Sequence, residues 1–588
     1  MEKLYGRIRQ LKIIGKLPGK SEINVAFSTF SKKERMVFVG LVVALFLSTL
    51  AILQSINQSF MVSVPLRGGK ISEGIVGTPR FINPILANSS VDQDLVALIY
   101  SGLMRKSPDG TLIPDLAEKY EISKNGLTYT FTLKDNLYFQ DGKTVTADDV
   151  LFTINKAKDS IIKSPQKVNW DGVNVEKIDE RTVQFTLKQP YASFLDNTTL
   201  GIMPAYLWDG SPMELNEINT NPIGSGPYKI NNVSQQSSGI IDSYELVPFK
   251  KFILGEPYIT NINLYFYPNE DELLKALENN NVEEISSIMP LNAENLKERN
   301  YQIGSSMLPR VFGLFFNQNA NQLFTNKAIT SAINQVIDKD KIIRDVFYGY
   351  GSVIDSPIPP NIIEDQDIAK DTSVSREAML QKVQNSLTKD GWKKGTDGFL
   401  EKTTTKNKKK TISKLEFSIS TGNAPELIKT AELIRQDLAE VGIKVDVKTF
   451  EIGNLNQNVI RPRKYDALLF GEIINHESDL FAFWHSTQRK DPGLNVAMYT
   501  NAKVDKILEE ASTTIDEQAR IKKYLQFESE IKKDLPAVFL YSPNFIYVVS
   551  KNLHRTPMKY IVSPADRYLN VYSWYTQTEN VWKIFTKQ

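Results

Sequence analysis

The chain has 588 residues, of which 70 are lysine or arginine and 68 are aspartate or glutamate, and it contains no cysteine. The absence of cysteine excludes disulfide bonds, thiolate metal sites, cysteine nucleophiles and a thioether-linked lipid. With a net charge of only +2, the chain lacks the strong positive charge that nucleic-acid binding requires, and we expect no nucleic-acid partner.

An apolar segment, Met36–Ile56, is the first predicted element. As a helix it would span about 31 Å, which matches the hydrocarbon core of a bilayer. Residues 1–35 carry nine basic and three acidic side chains, and positively charged flanks stay in the cytoplasm. We therefore predict a cytoplasmic basic tail (1–35), a transmembrane helix (36–56), a linker (57–69) and an extracellular or periplasmic body.

A cleaved signal peptide is the alternative interpretation of this segment. Signal peptides combine a short basic start with an apolar core of about 7–15 residues and a small-residue cleavage site. Here the basic region and the apolar core are both longer, and no Ala-x-Ala-like site follows. We therefore expect an uncleaved helix that holds the body at the cell membrane.

Turn signals divide the first part of the body into short strands and a helix. Asp109-Gly110, Asn125-Gly126 and Asp141-Gly142 favour tight turns. Residues 127–134, LTYTFTLK, alternate as a half-buried strand does. Thr146 with the following Asp148 and Asp149 predicts a helix start, because the hydroxyl can accept from first-turn amides and carboxylates suit the helix N-terminus.

Later segments predict an α/β lobe with a hinge. Residues 416–450 have the pattern strand, helix, strand, which predicts a parallel crossover. Two apolar extended segments, 308–319 and 535–543, bracket this lobe, as a hinge between two lobes requires. The lysine-rich run at 406–411 follows a hairpin arm and predicts an exposed hairpin tip.

These patterns resemble the family 5 extracellular solute-binding proteins, which are the oligopeptide- and dipeptide-binding components of ABC importers. The family's Gly-Glu-Val-Asp motif is replaced here by Asn281-Val282-Glu283-Glu284. The resemblance covers the chain from about Lys70 onward. It rests on residues 103–150, 221–230, 325–360, 432–473, 479–511 and 534–549.

The resemblance implies an α/β fold, namely a two-lobed periplasmic-binding-protein clamshell of type II, cluster C-like, preceded by the transmembrane helix. It places the first lobe at 70–307, with an extra subdomain at about 105–200. The second lobe is expected at 308–537, and the chain then returns to the first lobe at 538–588.

The sequence is a poor match to an enzyme. It contains three histidines, His476, His485 and His554, and no Gly-x-Ser-x-Gly elbow, phosphate loop or His-Glu-x-x-His motif. We expect that the protein catalyses no reaction and needs no cofactor. A hydrolase that pairs His476 or His485 with a serine remains an alternative.

The loop at 469–486 is the predicted ligand site, because ligands lie where strand ends meet a cleft. In peptide binders of the family an aspartate of this loop pairs with the peptide ammonium, and counting from Gly471 places that position at Asn475. Glu472 or Glu477 could supply the charge that Asn475 lacks. The predicted ligand-binding residues are Asn475, Gly471, Glu472, Ile473, His476, Glu477, Asp479, Trp484, Asn83 and Phe312.

Several of these residues have a second interpretation. His476 and His485, with Glu477 and Asp479 between them, offer metal-ligating chemistry, but their spacing matches no standard motif and we predict no metal site. Trp484 could pack in a core instead of contacting ligand. The resemblance implies a monomer that passes short peptides to an ABC permease; a sensory receptor of the same fold and a nickel or metal-chelate receptor are the alternatives.

Overall fold

The computed structural model describes residues 28–191, 193–208, 212–359, 375–406, 409–474, 479–558 and 561–586. These residues form two compact units. The smaller unit comprises the described residues up to Leu66 together with those from Thr578 onward, and the larger unit comprises Arg67–Gln577.

The helices are numbered in chain order. They are α1 (Lys32–Ser59), α2 (Ser90–Ile99), α3 (Ala147–Lys158), α4 (Lys167–Trp170), α5 (Phe194–Asn197), α6 (Glu270–Glu278), α7 (Pro290–Glu298), α8 (Lys327–Val336), α9 (Lys339–Asp345), α10 (Arg376–Lys389), α11 (Pro425–Glu440), α12 (Ile452–Asn454), α13 (Asp479–Trp484), α14 (Ala502–Thr513) and α15 (Glu517–Asp534).

The strands are numbered in the same way. They are β1 (Met61–Leu66), β2 (Lys70–Val76), β3 (Met104–Lys106), β4 (Leu112–Pro114), β5 (Ala117–Ile122), β6 (Thr128–Leu133), β7 (Val173–Lys177), β8 (Thr182–Leu187), β9 (Tyr228–Gln235), β10 (Ile241–Pro248), β11 (Asn261–Tyr267), β12 (Glu284–Ser286), β13 (Gln302–Met307), β14 (Arg310–Phe316), β15 (Gly351–Val353), β16 (Lys393–Lys394), β17 (Leu400–Lys406), β18 (Lys409–Lys414), β19 (Glu416–Gly422), β20 (Lys444–Phe450), β21 (Ala467–Ile473), β22 (Ala537–Val549) and β23 (Gln577–Trp582).

In the smaller unit, α1 extends beyond the apolar core at both ends. Its start is closed by a capping box, in which the Ser31 amide donates to Glu34 Oε2 (2.8 Å) and the Glu34 amide donates to Ser31 Oγ (3.4 Å). This box explains why the helix begins before the apolar core. Among the described residues, α1 alone is long and apolar enough to cross a membrane. The segment expected as a linker contains β1, which pairs with β23.

The larger unit is built on a twelve-stranded mixed sheet of order β20-β19-β21-β14-β22-β12-β2-β11-β10-β9, with β13 and β15 also paired to β22. Strand β22 is shared between two lobes. Its residues 537–541 pair with β14, and its residues 544–549 pair with β13. Since Leu308 and Pro309 alone separate β13 from β14, the chain crosses between the lobes twice at this place.

Each lobe has its own apolar core. The main core of the first lobe combines residues between Ile71 and Leu264 with residues between Leu553 and Trp574, so the chain returns to this lobe near its C-terminus. The second lobe buries one core on each face of its sheet. Alternate side chains of β14 enter the two cores, with Leu314 in one and Phe315 in the other, as the period of two in a strand requires.

The extra subdomain of the first lobe is a four-stranded antiparallel sheet of order β5-β6-β8-β7, and α3 packs against it. Its predicted local features are confirmed. Gly126 lies in the turn between β5 and β6 with a φ of 65°, a value that favours glycine. Thr146 and Asp149 form a capping box at the start of α3, in which Asp149 Oδ2 accepts from the Thr146 amide at 2.9 Å.

The predicted crossover and hairpin of the second lobe are also confirmed. Strand β19, helix α11 and strand β20 form the crossover, because β19 and β20 run parallel over seven paired residues. Strands β17 and β18 form the predicted antiparallel hairpin, whereas residues 407–408, where the exposed tip is predicted, lie outside the described residues.

Candidate functional site

Three parallel strands of the second lobe end at one edge of its sheet. Strand β19 runs parallel to both β20 and β21, so Gly422, Phe450 and Ile473 lie at the same edge. Strand β14 is antiparallel to β21, and its first residue, Arg310, pairs with Ile473. We call these four residues the strand-end edge. In α/β proteins, ligands bind outside the carboxyl ends of parallel strands.

Gly471 and Phe312, both predicted site residues, lie side by side next to this edge. They are direct partners in the pairing of β21 with β14. A Cβ at position 471 would lie 2.6 Å from Phe312 Cζ, and the Phe312 ring stacks on Tyr541 with centroids 4.9 Å apart and planes 8° from parallel. Glycine is therefore needed at position 471, because any side chain would displace this ring.

Arg310 supplies a positive charge at the edge. Its side chain is half-buried, and burial lowers its pKa, although arginine remains charged in proteins. Its guanidinium has no hydrogen-bond or ion-pair partner among the described residues. A guanidinium in this position can donate to carboxylate or carbonyl oxygens of a ligand. Arg310 was not among the predicted site residues, although a cation directly before the apolar run at 311–316 is a signal in the sequence.

Ile473 and Glu472 are neighbours in β21 but face opposite sides of the sheet. Ile473 is exposed at the edge, whereas Glu472 is only 2 % exposed. Neither carboxyl oxygen of Glu472 has a hydrogen-bond partner among the described residues, and burial raises its pKa well above its usual value. Because burial disfavours the ionised form of this carboxyl, Glu472 is poorly suited to supply the negative charge that a ligand ammonium would require.

Helix α13 carries two further predicted residues. Asp479 is half-buried at its first position. Trp484 is buried in the core beneath β14, with ring centroids 6.2 Å from Phe315 and 5.8 Å from Phe539. Its side chain therefore packs in the protein interior, which is the second interpretation that the sequence allowed.

Asn83, another predicted site residue, is part of the internal hydrogen-bond network of the first lobe. Its side chain is fully buried. The amide nitrogen Nδ2 donates to Asn219 Oδ1 (3.2 Å), and Oδ1 accepts from the Ile85 amide (3.0 Å). Because both polar groups are satisfied within the protein, Asn83 holds the loop after β2 in place.

The predicted residues Asn475, His476 and Glu477 lie outside the described residues. His485 is buried, with Nδ1 2.8 Å from Thr487 Oγ1 and Nε2 3.3 Å from Glu509 Oε1. It caps the turn at 486–489 by accepting from the Thr487 amide. Across the described part of the chain, no group of three histidine, aspartate or glutamate side chains is arranged to hold a metal.

A separate polar cavity of about 370 Å³ lies within the first lobe. Arg105 and Asp115 line it, and Asp115 is buried with one carboxyl oxygen that has no partner among the described residues. Burial raises the pKa of Asp115, against the opposing effect of Arg105 and Lys134. The Arg105 guanidinium lies 4.9 Å from the centre of the Tyr572 ring. This cavity was not predicted, because its residues come together only in the folded lobe.

Comparison with known proteins gives consistent results. The oligopeptide-binding protein AppA of Bacillus subtilis is 27% identical over 557 residues, which is 92% of this chain and 98% of that protein. The crystal structure of the ABC transporter substrate-binding protein CtaP from Listeria monocytogenes has a TM-score of 0.72 at 24% identity, and the match covers 87% of this chain and 99% of that one.

The structure of Bacillus subtilis AppA in complex with a nonapeptide has a TM-score of 0.64 at 25% identity, over 87% of this chain and 100% of that chain. Residues 111–492 match the family described as bacterial extracellular solute-binding proteins, family 5 Middle. These matches agree with the two-lobed α/β architecture described above. The chain therefore belongs to the family 5 bacterial extracellular solute-binding proteins.

Proposed function

We propose that the protein is the substrate-binding component of an ABC importer, that it captures short peptides between its lobes, and that it delivers them to a permease. The observation that carries this proposal is the position of the strand-end edge. Arg310 follows the crossing from β13 to β14 after only Leu308 and Pro309. A hinge movement at this crossing would enclose a ligand held at the edge.

The proposed mechanism is capture by closure. Closure of two lobes about a hinge is the general behaviour of periplasmic binding proteins. A ligand shifts the lobes toward the closed state only through its higher affinity for that state. Contacts at the strand-end edge therefore favour the closed state only when the first lobe also contacts the same ligand. The closed form then presents a surface that the permease recognises.

The proposed ligand is a short peptide. The nonapeptide bound to the Bacillus subtilis relative supports this ligand class. Hydrogen bonds to the peptide backbone would provide most of the affinity, with water-filled side-chain pockets and broad selectivity. We propose that Asn475 accepts from the peptide ammonium, and that Arg310 donates to a ligand carboxylate or carbonyl oxygen, since it has no partner among the described residues.

The proposed location is the outer face of the cell membrane, with the N-terminus in the cytoplasm. The length and composition of α1 support an anchor, and the basic residues before it support this orientation. Protease added to intact cells or spheroplasts should digest the body and spare the tail. Recovery of a soluble mature protein that begins near residue 60 would instead identify a cleaved signal peptide.

The ligand class can be tested on the full chain purified in detergent. Mass spectrometry of co-purifying small molecules, followed by incubation of the stripped protein with a peptide library, should give bound and intact peptides. Cleaved peptides would identify a hydrolase, and co-purified nickel or a metal chelate would identify the metal receptor. Failure of the stripped protein to bind any peptide would contradict the proposed function.

A further inference from the structure

The C-terminal residues of the smaller unit return to the outer end of α1. Strand β23 pairs with β1, which follows α1 directly. Just after β23, the Lys583 amide donates to the Phe60 carbonyl oxygen at 2.9 Å. The indole Nε1 of Trp582 donates to Asn57 Oδ1 in the last turn of α1 at 2.8 Å. Residues 582 to 585 are thereby tied to the point where the helix ends.

The contact between Trp582 and Asn57 sets the level of these residues relative to a bilayer. Asn57 directly follows the apolar core Met36–Ile56. Along a helix it lies about 16 Å from the middle of that core, close to half the thickness of a bilayer's hydrocarbon region. The Trp582 ring is therefore held at the boundary between hydrocarbon and headgroups, where tryptophan is enriched in membrane proteins.

The apolar side chains around this contact are unusually exposed. Phe60 is 61 % exposed, Trp582 47 %, Ile584 76 % and Phe585 75 %. Isolated exposed apolar residues are common, but four of them grouped at one level beside a membrane helix form a surface that favours an apolar partner. Lys583 lies among them in the sequence, and a lysine flanked by aromatic side chains suits the lipid headgroup region.

We propose that residues 582–585, together with Phe60, insert into the outer lipid interface and form a second attachment of the chain to the membrane. This inference rests on the proposed anchoring by α1. The occupant of the surface is lipid, because the surface continues outward from the end of the membrane helix. The attachment would fix the β1–β23 pair at the membrane surface.

The absence of cysteine from the chain allows a direct test with single labels. The full chain would carry one environment-sensitive fluorophore at Phe585→Cys, Leu45→Cys or Glu579→Cys, and would be reconstituted in phosphatidylcholine nanodiscs. Lipids with a nitroxide in the headgroup or deep in the acyl chain would quench the label. Leu45 reports insertion of α1, whereas Glu579 lies on β23 three residues before Trp582, about 10 Å back along the strand.

We expect deep quenching at Leu45→Cys and headgroup-level quenching at Phe585→Cys that is several-fold stronger than at Glu579→Cys. Deep quenching at Leu45→Cys with equal, weak quenching at the other two positions would overturn the lipid attachment and leave the anchor intact. Weak quenching at Leu45→Cys would overturn the anchor and the attachment together. The label at Phe585→Cys could instead become shielded from water as protein density rises, without being quenched by the lipid nitroxides. That result would assign the surface to a second copy and overturn the proposal.

Discussion

Gly126 and Ile515 lie in direct contact across the two lobes: a Cβ at Gly126 would fall 2.3 Å from Cδ1 of Ile515. Gly126 lies in the turn between β5 and β6 of the extra subdomain, and Ile515 lies in the turn between α14 and α15. Arg520 supports the second turn, because its Nη1 donates to the carbonyl oxygens of Thr514 (3.3 Å) and Ile515 (3.1 Å). The contact joins the lobes outside the shared strand β22.

This contact predicts an effect on closure. Ile515→Ala should remove part of the apolar contact between the lobes, which is worth about 1 kcal/mol, and should weaken peptide affinity about fivefold, because a contact between the lobes favours their closure. Titration calorimetry would measure the affinity, and small-angle scattering would measure the fraction of closed protein. Leu525→Ala is the matched control, because Leu525 lies on α15 and is similarly exposed. Equal affinities for Ile515→Ala, the control and the unsubstituted protein would rule out a role in closure.

Arg310 predicts a charge preference at the site. Arg310→Gln should weaken binding of a peptide with a free C-terminal carboxylate about tenfold or more, because hydrogen bonds to charged groups are worth about 1.5–3 kcal/mol. Arg310→Gln should weaken binding of the same peptide with an amidated C-terminus by a smaller factor. Calorimetry with both forms would decide. Arg461→Gln is the control, since Arg461 is exposed and its Nε lies 3.8 Å from Asp491 Oδ1. Identical losses for both peptide forms would assign Arg310 to a carbonyl contact.

Asn475 predicts a preference at the other end of the peptide. Asn475→Asp should strengthen binding of peptides with a free amine by about 1–2 kcal/mol, because it adds a charge-assisted hydrogen bond, and should change binding of N-acetylated peptides little. Asn475→Leu should weaken both forms. Equal affinities for all three proteins would place Asn475 outside the site. Loss of free-amine binding on Glu477→Gln would show that the compensating charge comes from Glu477.

Glu472 predicts a pH-dependent stability difference. Its folded-state pKa lies well above the usual value of 4.5. The folded protein therefore binds more protons than the unfolded chain above pH 4.5, and the contribution of Glu472 to stability is lost as the pH rises. Glu472→Gln removes this loss and should raise the unfolding temperature more at pH 8 than at pH 5.

The exposed Glu377→Gln on α10 is the matched control, and whatever change it makes to the unfolding temperature, through the loss of a charge in the first turn of the helix, should be the same at pH 5 and pH 8. Thermal unfolding of the full chain in detergent would measure both variants. A lower unfolding temperature for Glu472→Gln at pH 8 would mean that the ionised carboxylate stabilises the protein. That result would return Glu472 to the group of residues able to pair with a ligand ammonium.

Local elements could be predicted from the sequence because the residues that determine them are neighbours in the chain. The apolar core Met36–Ile56 predicted α1, the Asn125-Gly126 pair predicted the turn between β5 and β6, and Thr146 with Asp149 predicted the start of α3. The crossover from β19 through α11 to β20 followed in the same way. Each depends on helix or strand periodicity, capping or turn geometry within a few residues.

The tertiary structure alone decided which face each side chain occupies and which distant residues meet. Glu472 and Ile473 are neighbours in sequence, yet the pairing register of β21 with β14 buries one and exposes the other. Arg567 Nη1 and Nη2 donate to both carboxyl oxygens of Asp94, and Nη2 also donates to Glu73 Oε1 (2.8 Å), 494 residues away in sequence.

Arg310 reaches the strand-end edge, and Trp582 reaches the end of α1, through the same kind of long-range pairing. Such contacts depend on how whole elements pack, because they join segments that are far apart in the sequence. Sequence patterns therefore predicted the apolar helix α1, the turns and the α/β lobe. The charge at the edge, the buried acid and the exposed apolar side chains beside the end of α1 could be identified only in the folded chain.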